Sequence, residues 1–143
     1  MTRVDFYILK DVEITAMQRF ACRLACKAVD SGQQVVVHAA DEKSARAFDA
    51  LLWEYPEQRF LPHGIERSPE AEGAPLVVSW GEPRRYDGVL INLAPAVPDF
   101  FGRFERVAEI VVGSSRDAGR ARYQFYRDRG FPLYHHELDD WEG

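Results

Sequence analysis

Val35-Val36-Val37-His38-Ala39 is the stretch that decides the fold. Successive side chains of a strand point to opposite faces, so a strand with one wet face alternates apolar and polar residues. This run does not alternate. It is the pattern of a strand covered on both sides, which is the habit of parallel sheets packed between helices. Working outward, Gly32 closes a helix over residues 15–30 that carries Met17, Phe20, Ala21, Leu24, Ala25 and Ala28 at helical spacing. Before that helix, residues 4–9 (VDFYIL) read as a compact apolar strand. After the central run, Asp41 caps a second helix through Leu52, and residues 76–80, 89–93 and 107–112 read as further strands. The last two are separated by a short helix near residues 98–103. Residues 62–75, with Gly64, Pro69 and Gly73 among acids, read as a surface loop. The expected fold class is α/β: one domain over residues 1–143, with a mostly parallel sheet of about five strands and helices on both faces.

At 143 residues the chain is long enough to bury a proper core, and no apolar run reaches the ~18 residues of a membrane span. The first strand pattern starts at Val4, which leaves no room for a signal peptide, so a cytoplasmic protein without membrane association is expected. Cys22 and Cys26 lie four apart in the first helix, on nearly one face. An intrahelical pair does not readily reach disulfide geometry, and a zinc site would have to recruit the distant His38, His63, His135 or His136. Reduced core thiols and no metal are expected.

An α/β sheet invites a nucleotide, but the residues decline it. The turn after the first strand is Leu9-Lys10-Asp11-Val12-Glu13, with no glycine to let a backbone approach a pyrophosphate and two acids that repel one. Gly113-Ser114-Ser115-Arg116 is the best remaining anion cradle, yet it reads better as an ordinary strand-to-helix turn. Asp41 with Glu42, Asp139 with Asp140, and His135 with His136 lack a nucleophile, base and orienting partner in combination, so they read as a cap, a solvated tail and a polar ending. No catalytic residue and no cofactor site is expected.

Two features ask for a partner. A final helix over residues 115–129 starts at a capping Ser114 or Ser115, carries Asp117 in its first turn and ends at Gly130. On it Arg116, Arg120, Tyr123 and Arg127 fall within an arc of roughly 60°, with Ala118, Ala121 and Phe125 expected opposite them against the core. The helix holds five arginines against two aspartates on a chain of net charge −5. A basic patch on an acidic protein suits a short acidic peptide or a single anionic group better than long duplex DNA. Direct binding of single-stranded DNA would need aromatic platforms along a groove, and only Tyr123 is well placed. The second feature is residues 51–64 (LLWEYPEQRFLPHG), where Trp53, Tyr55 and Phe60 are spaced too irregularly for all to turn inward. Exposed aromatics of that kind either plug a sheet edge or anchor a protein interface.

The FYIL of the opening strand, ACKAVDSGQQVVV at residues 25–37, DEKSARAFDALLW at 41–53, FLPHG at 60–64 and RARYQFYRDRGF at 120–131 together resemble the chi subunit of bacterial DNA polymerase III, nearly end to end. The resemblance implies a catalytically inert, Rossmann-like accessory protein of the clamp loader, a monomer or a heterodimer with the psi subunit, with no strong direct nucleic-acid binding. It implies two partners. Trp53 and Phe60 match the psi-facing surface. Arg120 and Arg127, with Tyr123 beside an apolar pocket bordered by Val111, match the receptor for the acidic C-terminal tail of single-strand DNA-binding protein. The family's basic residue beside the tyrosine is Gln124 here, and Arg116 on the same stripe is placed to compensate.

Overall fold

The computed structural model describes residues 1–57 and 59–142. The described residues hold three α-helices and seven strands, in the order β1 (Arg3–Leu9), α1 (Ile14–Asp30), β2 (Val35–His38), α2 (Glu42–Glu54), β3 (His63–Ile65), β4 (Leu76–Ser79), β5 (Val89–Asn92), β6 (Arg106–Val111), α3 (Arg116–Asp128) and β7 (Leu133–Leu138). The strands form one sheet in the order β3-β4-β2-β5-β6-β1-β7, and every neighbouring pair is parallel. The architecture is Rossmann-like, as the central valine run requires. Val35 and Val37 pack beneath α1 and α2 with Leu9, Ile91 and Ile110, whereas Val36 faces the opposite layer with Phe6, Leu90 and Val107. Both faces of β2 are therefore dry.

The sheet has seven strands where the sequence reading gave about five, and each addition has a physical reason. β3 lies inside the stretch read as a surface loop. It is a three-residue edge strand that runs under a 3-10 turn at Pro69–Ala71. A Cβ at Gly64 would sit 2.3 Å from the Ala71 backbone nitrogen, so glycine is what permits that close approach. β7 incorporates the His135-His136 pair read as a polar ending. Its outer side is polar because it is an edge, a common defence against unwanted pairing. It is held in parallel register from Val4 opposite Leu133 to Leu9 opposite Leu138.

Asp5 ties that edge to the centre of the sheet. Its carboxylate is 1% exposed and receives hydrogen bonds from Arg3 of its own strand (3.1 Å), Arg106 of β6 (3.2 Å) and His136 of β7 (2.9 Å). Burial pushes its pKa up, but the bonds from His136 and Arg3 and the Arg106 charge outweigh burial and hold it below the usual carboxylate value. A carboxyl depressed in the folded state stabilises the protein above its unfolded pKa, and that contribution disappears as pH falls through the folded value. The stability of the wild type should therefore decline below about pH 4. In Asp5→Asn this part of the decline should be missing, so denaturant titrations at descending pH should show a shallower acid limb; an unchanged limb would remove Asp5 from the account.

Several local expectations hold. Asp41 accepts the Ser44 N–H at 2.8 Å and caps α2. Gly32 and Gly130 both have positive φ where helices α1 and α3 end. Cys22 and Cys26 are buried free thiols, and burial pushes the Cys22 thiol up to about 12. Ser115 does stand at the N-cap of α3, but its hydroxyl turns back to bond the Val112 backbone instead of capping the helix.

Candidate protein-interaction surfaces

α3 is positioned by an ion pair that the sequence pattern does not announce. Its buried residues are Gly119, Arg122 and Tyr126, whereas the reading from hydrophobicity put Ala118, Ala121 and Phe125 against the core. Ala121 is exposed and Phe125 half-buried. The true buried line is rotated by about one residue, roughly 100° of helix. Gly119 permits the rotation, since a Cβ there would meet a Val111 methyl at 2.8 Å. Arg122 drives it. Its Nε donates to Glu109 Oε1 at 2.7 Å, and its Nη1 donates to the Pro95 carbonyl at 3.1 Å. Tyr126 and Asn92 donate to the other Glu109 oxygen at 2.6 and 3.0 Å. Glu109 is 0% exposed, and desolvation raises its pKa against the opposing pull of Arg122, Asn92 and Tyr126. Four groups thus satisfy one another beneath the helix.

The correction changes the charge count of the stripe. Arg122 is spent on Glu109, and Arg129 lies over the Phe125 ring with its guanidinium 3.6 Å from the centroid. What faces water is Arg116, Arg120, Gln124 and Arg127, with Tyr123 half-buried at their margin. Among the described residues, no carboxylate stands within ion-pair distance of Arg116 or Arg120; Arg127 has only its exposed neighbour Asp128 at 3.8 Å. Tyr123 leans edge-on against Phe6 at 5.5 Å and tilts over His135 at 5.1 Å, and it joins Val111 in the same apolar cluster. All six residues singled out on this face, Val111 included, are therefore gathered around one helix. His135 is an addition. Only the pairing of β7 beside β1 brings it next to Tyr123.

The aromatic segment forms a second surface at the other end of the sheet. Trp53 is 57% exposed and Phe60 is 65% exposed. Their rings lie 5.9 Å apart, and Trp53 also rests on the buried His63 at 4.6 Å. His63 is held by the Leu61 carbonyl at 2.7 Å, so the exposed indole has a fixed floor. Beside it runs a shallow groove of about 480 Å³ bordered by Arg46, Asp49, Ile65, Arg67 and Trp80. Trp80, a third exposed aromatic, was read only as the end of a strand; its neighbourhood arises from the β3–β4 pairing.

At the carboxyl end of the sheet, where this architecture places nucleotides, the turn after β6 has its amides engaged. The Gly113 and Ser114 N–H groups donate to the Asp11 and Val12 carbonyls at 2.8 and 3.0 Å, so the glycine-serine turn has spent the amides an anion would need. Among the described residues, no group of three or more His, Cys, Asp or Glu side chains is arranged to hold a metal, and no helix is long and apolar enough to cross a membrane.

Comparison with known proteins identifies the family. The family model for the DNA polymerase III chi subunit, HolC, matches residues 1–134. The chain is 42% identical over 141 residues to the DNA polymerase III subunit chi of Pseudomonas aeruginosa, covering 96% of this chain and 98% of that protein. It is 32% identical over 142 residues to the Escherichia coli subunit of the same name, covering 93% and 96%. Similarity to the Haemophilus influenzae subunit is 29% over 133 residues, covering 90% and 92%. With the family model matching residues 1–134 and a relative 42% identical over nearly the whole chain, the chain belongs to the DNA polymerase III chi subunit family.

Proposed function

We propose that this chain is a non-catalytic connector of the replication machinery in the cytoplasm. Its Trp53–Phe60 surface binds the psi subunit, and its α3 face binds the acidic C-terminal tail of single-strand DNA-binding protein, linking the clamp loader to coated lagging-strand template. The observation that carries the second contact is the pair of arginines, Arg116 and Arg120, left without an internal acid beside the half-buried Tyr123. Guanidinium groups in that state are free for charge-assisted, bidentate bonds to a carboxylate, and Tyr123 with Val111 offers an apolar contact for a terminal aromatic ring. Titrating the protein with an acidic nonapeptide ending in Pro-Phe, beside ATP and oligo-dT, tests the reading. Saturable binding of the peptide alone supports it. Binding of ATP would favour a nucleotide enzyme with an atypical loop, and binding of oligo-dT a direct DNA contact.

For the psi surface, Phe60→Ala should leave the fold intact, because the ring is mostly in water, and weaken the complex with psi by roughly 1–4 kcal/mol, as aromatic anchors do. Loss of thermal stability with undiminished psi affinity would instead make Phe60 a structural plug over Trp53.

A further inference from the structure

The other face of the sheet carries a second basic and aromatic stripe, and this one is occupied. Arg19, Arg23 and Lys27 stand four apart along α1, so they share one side of the helix. Against them lies the chain's own C-terminal segment, which reads Glu137-Leu138-Asp139-Asp140-Trp141-Glu142. Arg19 Nε donates to Glu142 at 2.8 Å, Arg23 Nη1 to the Trp141 carbonyl at 3.4 Å, and Lys10 pairs with Asp139 at 3.3 Å. The Trp141 ring meets Phe20 edge-on at 5.4 Å, and its Nε1 donates to Asp11 at 2.8 Å. The Arg19 bond is the main influence holding the Glu142 carboxyl below its ordinary pKa.

Trp141 fills only one end. With it in place, a groove of about 620 Å³ continues between α1 and the sheet, past Tyr7, Leu24 and Lys27 to Arg106. The free part keeps the chemistry of the filled part: an apolar floor with cations along its rim. Asp5, the carboxylate on that floor, is already committed to Arg3, Arg106 and His136.

We propose that the α1 groove is a second peptide-binding site, distinct from the α3 face, for an acidic segment bearing an aromatic side chain supplied by another protein. Residues 139–142 are its resident competitor. They show which chemistry the groove accepts, and the space beyond Trp141 fits a longer ligand of the same kind. Because the competitor is tethered, it acts at an effective concentration in the millimolar range, and a ligand in trans binds with an apparent affinity reduced by the fraction of molecules whose groove is open.

The test uses a fluorescent, C-terminally amidated peptide with the sequence of residues 137–143, titrated into full-length protein. Every variant also carries Arg120→Ala and Arg127→Ala, which silence the α3 face, so the outcome does not depend on the function proposed for it. Adding Trp141→Ala should tighten peptide binding by about tenfold, as the tethered competitor is weakened. Further charge reversal at Arg19→Glu and Lys27→Glu should abolish it. Glu142→Lys, which keeps the indole but repels Arg19, should shift affinity in the same direction by a smaller factor and stands in if Trp141→Ala does not fold. Equal affinity with and without Trp141→Ala and Glu142→Lys, or binding that survives charge reversal on α1, would overturn the proposal and leave the segment as a structural strap.

Discussion

Arg122→Ala is expected to destabilise the protein by about 3–5 kcal/mol, the cost of leaving a buried charge without its partner. Glu109 is fully enclosed, and Arg122 supplies the only cation that touches it among the described residues. Removing the guanidinium strands the carboxylate and also orphans the Pro95 carbonyl, which accepts from the same side chain. The protein then either unfolds more readily or keeps Glu109 protonated, and both routes lower stability at neutral pH. Replacing both partners by apolar residues of similar volume, as in Glu109→Leu with Arg122→Met, should recover most of the loss, because the net worth of a buried pair against a hydrophobic substitute is small. Denaturant midpoints of the two single variants and the double variant decide the matter. A loss below about 1 kcal/mol for Arg122→Ala would mean that α3 docks through Gly119 and Tyr126 alone. The same experiment separates this arginine from its neighbours on the stripe. Arg120→Ala, whose side chain is exposed, should stay within about 0.5 kcal/mol of the wild type.

The combination Arg120→Ala, Arg127→Ala should have the larger functional effect. Each arginine is expected to contribute roughly 1–3 kcal/mol to affinity for the acidic tail peptide, so the double variant should bind at least tenfold more weakly with its thermal unfolding unchanged. Because the contacts are partly in water, salt should weaken the wild type as the Debye length contracts from about 10 Å at 0.1 M to about 3 Å at 1 M, leaving a residual apolar component from Tyr123 and Val111. Gln124→Lys adds a cation on the exposed side of Tyr123 and should strengthen binding. Amidating the peptide or deleting its terminal Phe should hurt as much as removing Arg120. Undiminished affinity in the double variant would reduce the stripe to an ordinary solvated helix face.

The two-sided sheet and the exposed side chains of the candidate surfaces were legible because they rest on local chemistry. Val35-Val36-Val37 demands cover on two faces wherever it sits, and Trp53 and Phe60 resist burial because their spacing fits no periodicity. Arg116, Arg120 and Arg127 stay in water for a similarly local reason, since charge at helical spacing keeps one side wet. Which face of α3 turns inward was not legible. Hydrophobicity favours Ala121 and Phe125, whereas the structure buries Arg122, because Glu109 on a strand thirteen residues earlier provides a partner that no window on the helix contains. β7 was hidden for the same reason. Leu-Tyr-His-His-Glu-Leu is a poor strand by composition and becomes one because β1 offers an open edge and Asp5 a partner for His136. Asp139 and Asp140 are exposed as a solvated tail should be, but Glu142 pairs with Arg19 and the Trp141 carbonyl accepts from Arg23, contacts that exist only once α1 is beside the segment. The sequence by itself determined the parallel sheet, the helices and the residues too polar or too irregular to bury. Only the tertiary structure decided which charges are neutralised, because pairing energies between groups distant in sequence exist only once the sheet has brought them together.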